Sequence, residues 1–174
     1  HERPKRGLKY PEAEWGTVGS FEAIGQSWAN VVNSPFKKWK VQGMEGGICT
    51  PLIAYWPAGI DLPKNSISRE PCHLIDFLPT FMELAGDEAN YPNDLPELDG
   101  ISLKPTFSGK KLNRSDPLFF QYGSWQVIRQ NQWKLVQRKK EPWQLYDLSQ
   151  DRTETHDLAS HFPQKVKVMK SRWT

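Results

Sequence analysis

The chain has 174 residues, with 23 lysines and arginines against 20 aspartates and glutamates and a net charge of +3. That length suits one domain burying roughly two thirds of its unfolded surface, and the mixed charge, whose basic clusters Lys37-Lys38 and Arg138-Lys139-Lys140 are short, excludes a nucleic-acid-binding stripe. Cys49 and Cys72 allow one bridge at most, the four histidines form no His-x-x-x-His pair, and no apolar run approaches the ~20 residues of a membrane span; a disulfide scaffold, a zinc motif and a transmembrane helix all fall away.

Residues 1–39 mix charge, glycine and aromatics without a clean period and read as a surface segment. The run Leu52-Ile53-Ala54-Tyr55-Trp56, bounded by Pro51 and Pro57, predicts a short strand covered on both faces, as in a parallel α/β sheet. Apolar residues at 74, 77, 78, 81, 84 and 85 then predict an amphipathic helix, with Asp76 as N-cap, Pro79 in the first turn and Gly86 at the C-terminus. Residues 87–100 read as an acidic loop, and 102–107 as a short helix stopped by Ser108-Gly109.

From Pro117 onward the period changes to two. The segments 118–122, 125–129, 132–138 and 143–148, joined by turns at Gly123-Ser124 and Gln130-Asn131, predict a four-stranded antiparallel meander. Val166, Met169 and Trp173 fall at helical spacing, so a closing helix is expected to pack on that sheet.

Candidate chemistry is sparse. The pair Gly46-Gly47 lets the backbone turn where a side chain would not fit, and Lys40 upstream would place a flexible point charge beside a bound anion; a merely solvated lysine is the plainer alternative. His73 could act as a ligand or acid–base group, or simply orient the loop before the Asp76 cap. Asp147, Asp151, Glu154 and Asp157 lack the alternating ligand positions of a calcium loop and read as turn and capping residues. Of the eight tryptophans, Trp56, Trp125, Trp133 and Trp143 sit at strand positions suited to a core.

Taken in order, Asn33-Ser34-Pro35-Phe36, Lys40, Glu45-Gly46-Gly47, Thr50-Pro51, Trp56-Pro57-Ala58-Gly59-Ile60, His73-Leu74-Ile75-Asp76, Asp99-Gly100-Ile101-Ser102-Leu103, Gln132-Trp133-Lys134-Leu135-Val136 and Trp143-Gln144-Leu145-Tyr146-Asp147-Leu148 resemble the C-terminal part of arylsulfatase-type sulfatases. The resemblance spans nearly the whole chain. It implies an α/β architecture, the alkaline-phosphatase-like sulfatase fold in part: strand or strands of its large mixed sheet within residues 1–110, then an antiparallel β subdomain with a terminal helix over residues 111–174. It also implies a sulfuric ester hydrolase with a formylglycine nucleophile and a calcium ion in the complete enzyme. The nucleophile motif falls outside this sequence and no calcium ligand is identified in it, so these residues alone are expected to be inactive.

On the same pattern Lys40 is the one active-site residue carried over, as a catalytic and substrate-binding contact to the sulfate group. Tyr122, in Gln121-Tyr122-Gly123, stands where related sulfatases often place a substrate-facing histidine, and is a second substrate-binding candidate. Cys49-Thr50-Pro51 copies the start of the nucleophile motif but lacks its arginine two residues after the proline; Cys49 reads as a small buried residue entering a strand, and Cys72 as core. The implied partners are a sulfated small molecule or sulfated glycan and the N-terminal half of the enzyme, in the periplasm or outside the cell. Two alternatives remain: a glycan-binding module, and a phosphate or phosphonate ester hydrolase of the same superfamily.

Overall fold

A computed structural model describes residues 6–8, 20–22, 25–86 and 90–173. Much of the expected N-terminal surface segment lies outside them. The chain divides into two compact units, one built from residues 1–51 and 119–174 and the other from residues 52–118.

In the first unit, β1 (Arg6–Leu8) and β2 (Ser20–Glu22) form a two-stranded antiparallel ribbon, followed by helix α1 (Gly25–Val32) and the one-turn helix α2 (Glu45–Ile48). Its centre is a four-stranded sheet in the order β3 (Leu118–Tyr122), β4 (Trp125–Gln130), β5 (Trp133–Arg138) and β6 (Gln144–Asp147). These are the four strands that the period-two pattern predicts. Their turns work as expected: Gly123 and Asn131 both take the left-handed conformation, with φ of 56° and 52°.

The register pairs Val127 with Val136 and Ile128 with Leu135 across β4 and β5, then Lys134 with Tyr146 and Leu135 with Leu145 across β5 and β6. Successive strand residues point to opposite faces, so the doublets Val127-Ile128 and Leu135-Val136 require cover on both sides. On one face Val127, Val136 and Tyr146 pack with Met44, Leu148 and Trp125. On the other, Ile128, Leu135 and Leu145 pack with Met169, Val166 and Trp173 of the C-terminal segment, where helix α4 (Pro163–Lys170) starts with proline in its first turn. Ile128, Leu135 and Leu145 are completely buried, each contributing about 1.5–3 kcal/mol of transfer free energy. Trp125, Trp133 and Trp143 line these cores as expected.

The second unit is organised around a polar centre. A 3-10 turn, Leu74–Asp76, leads into helix α3 (Phe77–Ala85), which Gly86 ends in the left-handed conformation at φ 70°. Asp76 occupies the N-cap position, yet its carboxylate does not cap α3. It turns away because stronger donors converge on it: Arg114 Nη2 at 2.6 Å, the His73 N–H at 2.7 Å and the Ile101 N–H at 3.0 Å. Thr80 extends this centre, donating to the Asp76 carbonyl at 2.5 Å and accepting the Leu103 N–H at 2.8 Å. At Gly100 the chain passes so close to the Ile75 carbonyl that a Cβ would overlap it. The expected short helix appears as a 3-10 turn, Lys104–Ser108, stopped by left-handed Gly109.

One expectation fails. Residues 52–56 form no strand, and Leu52, Ile53, Tyr55 and Trp56 are exposed, Ile53 by 90%. A strand needs partners for its N–H and C=O groups, and among the described residues no segment pairs with this one. Trp56 accordingly is not core; it meets Phe107 edge-on at 6.1 Å.

Candidate functional site

The segment from Lys37 to Ile48 folds as a closed loop that runs into α2. Its ends are joined by the Gly46 N–H donating to the Lys37 carbonyl at 2.9 Å, and a tight turn inside it has the Gln42 N–H donating to Trp39 at 3.1 Å. Gly46 and Gly47 serve close packing rather than a turn. Neither has positive φ, but a Cβ on Gly46 would overlap the Lys37 and Lys38 carbonyls, and one on Gly47 those of Trp39 and Gln42. Gly43 lies equally close to Trp125 and Val127, seating the loop on the β4–β5 face.

Lys40 stands exposed on the turn, and no hydrogen bond or ion pair holds it among the described residues. Its flanks are strained: Lys38 has φ 68° and Val41 φ 72°. For a β-branched residue such as Val41 this is a rare conformation costing of order 1–3 kcal/mol, kept only where the surroundings impose it.

The two ends of this loop, Lys37 and Glu45, meet in a buried ionic cluster. Lys134, completely buried on β5, lies 2.9 Å from Glu45 Oε1 and 2.6 Å from Glu154 Oε1. Glu154 Oε2 accepts the Glu45 N–H at 2.7 Å, and the Glu154 carbonyl accepts a hydrogen bond from Lys37 Nζ. Glu154 itself is fully buried and left-handed, at φ 56°. Burial pushes its carboxyl above the usual range, outweighing the Lys134 ammonium and the Glu45 N–H that pull it down. The balance follows from one ammonium being shared between two carboxylates. Arg129, cross-strand partner of Lys134, is lowered by burial while Glu45 and Glu154 oppose that effect. Tyr146 beside them is raised, first by burial and then by Asp157 and Glu154.

Glu154 is therefore no turn-capping residue, which corrects the reading of the acidic run. Its neighbours do match that reading: Asp147 accepts the Ser149 N–H at 2.9 Å, Asp151 the His156 N–H at 2.8 Å, and Asp157 the Ala159 N–H at 2.9 Å. The signal for the buried cluster was present in β5, where Lys134 shares a face with Val136 in a strand whose apolar doublet demands cover. A lysine on a covered face needs an acid.

Tyr122 sits exposed at the end of β3. Cys49 is exposed in an irregular segment, against the expectation of a buried strand residue, with Arg152 Nη2 at 3.6 Å from Sγ; the helix α2 that precedes it ends there, and no strand follows. Cys72 is half-buried, and both thiols are free. His73 orients its loop, accepting the Ile75 N–H on Nδ1 at 3.4 Å. Among the described residues no three His, Cys, Asp or Glu side chains converge to hold a metal ion, and no helix is long and apolar enough to cross a membrane.

A family model described as N-sulphoglucosamine sulphohydrolase, C-terminal, matches residues 37–172. A curated protein named sulfatase, from Formosa agariphila, is 32% identical over 147 residues, covering 75% of this chain and 26% of that protein. An uncharacterized sulfatase of Schizosaccharomyces pombe is 29% identical over 177 residues, covering 91% of this chain and 30% of the relative. The crystal structure of Ps i-CgsB superposes with a TM-score of 0.64 at 25% identity, over 80% of this chain and 32% of that one, and the same protein is known in complex with k-i-k-neocarrahexaose. The chain thus spans 26% to 32% of the length of these relatives.

Proposed function

The chain belongs to the sulfatase family, corresponding to the C-terminal part of its members, and on that premise we propose that it contributes Lys40 as the sulfate contact of a sulfuric ester hydrolase. The observation that carries this reading is the loop itself: an exposed, unpaired ammonium between two left-handed residues, on a segment fastened beneath by buried ions. Strain of this kind collects where a group must be held for function. An ammonium beside the sulfuryl oxygens stabilises the negative charge that builds as the ester S–O bond breaks, an electrostatic role and not a nucleophilic one.

The formylglycine nucleophile and the calcium ligands are supplied, on this reading, by parts of the enzyme outside these 174 residues. The described residues do not fit a calcium site. The unit of residues 52–118 supports the same view, since Ile53, Tyr55, Ile67 and Leu74 are all at least 74% exposed, a surface suited to the rest of the hydrolase. These residues alone are then inactive. The substrate class is a sulfated small molecule or sulfated glycan, the latter supported by the oligosaccharide complex of Ps i-CgsB, and the setting is the periplasm or the cell exterior.

In the full-length enzyme, Lys40→Ala is expected to lower kcat/KM on an aryl sulfate by about a hundredfold or more. Near-normal turnover would remove the assignment. Matched sulfate, phosphate and phosphonate esters in the same assay decide which ester the site prefers. One observation favours the glycan-binding alternative: a groove of about 550 Å³ lined by Gln130, Asn131, Gln132, Trp133, Gln164 and Lys165. Titrating the 174-residue chain with a neocarrahexaose tests it; on the hydrolase reading no measurable affinity is expected.

A further inference from the structure

Both ends of the segment that carries Lys40 are fastened to one distant residue. Lys37 Nζ donates to the Glu154 carbonyl, 117 positions along the chain, and the Glu45 N–H donates to the Glu154 carboxylate, 109 positions along. Lys134 locks the second fastening by bridging the Glu154 and Glu45 carboxylates at 2.6 and 2.9 Å. From this geometry we infer that Glu154, together with Lys134 and Lys37, is a positioning residue for Lys40, setting how the closed loop presents its ammonium to the sulfuryl oxygens. The inference rests on the reading of Lys40 as the sulfate contact.

Stability alone is a poor account of the cluster. Two carboxylates and one ammonium are stripped of water here, and apolar side chains of similar volume commonly stabilise a fold as well or better. What an ionic bridge supplies instead is a single register. Lys134 can hydrogen-bond Glu45 Oε1 while lying 2.6 Å from Glu154 Oε1 as an ion pair only when Glu45 stands at one place, and the Glu45 N–H reaches Glu154 Oε2 only in that same placement. Glu45 begins α2, and Gly46 immediately after it closes the loop onto Lys37. A shift of Glu45 therefore moves both ends of the loop at once. The left-handed residues follow the same outline, with Lys38 and Val41 inside the loop and Glu154 at its anchor.

The test uses the full-length enzyme with 4-nitrophenyl sulfate as probe, and the variants Glu154→Gln and Lys37→Met, each alone and combined with Lys40→Ala. Where that background is too slow to measure, Lys40→Arg replaces it. Glu154→Gln is expected to lower kcat by about tenfold to a hundredfold, and Lys37→Met by about threefold to tenfold, because small misplacements of a transition-state contact are costly. In the Lys40 variant background neither change should lower kcat further, since the group being positioned is gone. Lys37 is only half-buried, so Lys37→Met keeps the test open even if Glu154→Gln fails to fold. Amide hydrogen exchange over residues 38–46 should quicken in both variants.

Unchanged kcat in Lys37→Met and Glu154→Gln overturns the inference. So do equal losses with and without Lys40, which would mark the cluster as general scaffolding. If Lys40→Ala itself turns over normally, the sulfate-contact reading fails first, a result distinguishable from either of these.

Discussion

In the unit built from residues 1–51 and 119–174, the central apolar side chains of β4, β5 and β6 are sealed on both faces, with Val127, Ile128, Leu135, Val136 and Leu145 at 0–1% exposure. In the unit of residues 52–118 the pattern is inverted: Ile53, Tyr55, Ile67, Leu74 and Phe81 face outward, while the buried centre is the Asp76–Arg114–Thr80 network. The first unit seals the apolar residues of β4, β5 and β6 in its own core and displays a charged loop, with Trp28, Val31 and Val32 of α1 also exposed. The second holds its shape with hydrogen bonds and displays the hydrophobic surface. On the proposed reading, the outward apolar residues of the 52–118 unit are where the rest of the hydrolase would cover it.

The sharpest way to break this contrast is Asp76→Ala. It strands the Arg114 guanidinium and two backbone N–H groups, and is expected to cost the 52–118 unit about 3–5 kcal/mol. Hydrogen exchange of α3 reads the effect; full retention of protection would show that something other than the polar centre holds the unit.

A smaller effect concerns pH in the sheet unit. Because burial raises the Glu154 carboxyl above 4.5, its contribution to stability is complete below that unfolded value and is lost as pH rises through the elevated one. Asp151 runs the other way: although burial opposes it, hydrogen bonds from His156, Thr153 and Thr155 hold it low, so its contribution is present above 3.8 and lost as pH falls. Urea midpoints of the chain and of Glu154→Gln should therefore diverge with pH, the parent losing ground as pH rises. Parallel curves would show that Glu154 titrates alike folded and unfolded.

The smallest expected effect is on the outward surface. Phe81→Ser and Ile53→Ser should change the unfolding free energy of the isolated chain by less than about 0.5 kcal/mol while reducing its binding of a hydrophobic dye. A large destabilisation would mean that these residues are packed rather than displayed.

The sheet was legible in the sequence because its information is local. Alternation, Gly123 and Asn131 mark strand ends within a few residues of the strands themselves, and the left-handed stop at Gly86 is equally local. The run at 52–56 misled because five apolar residues between prolines describe only a segment's own preference, whereas strand formation also requires a partner's backbone. Lys40 is proposed through resemblance alone, while the ions that fasten its loop carry no such signal. Glu154 reads as one more acid in a polar tail, and nothing near it in sequence announces that Lys134 and Glu45 will meet it in the interior. Charged residues read as surface by default, and only the doublet in β5 hinted that one face carrying a lysine had to be closed.

The fastening of the loop at 45 to a residue 109 positions away also has a consequence in time. The four strands pair with their sequence neighbours through short turns, so the meander closes only small loops and can assemble early. The Lys37–Glu45 segment must instead return across more than half the chain and dock on a sheet that already exists, paying the larger closure entropy last. The order expected from this topology is sheet first and anchor next, with the loop that carries Lys40 docking once Lys134 meets both acids.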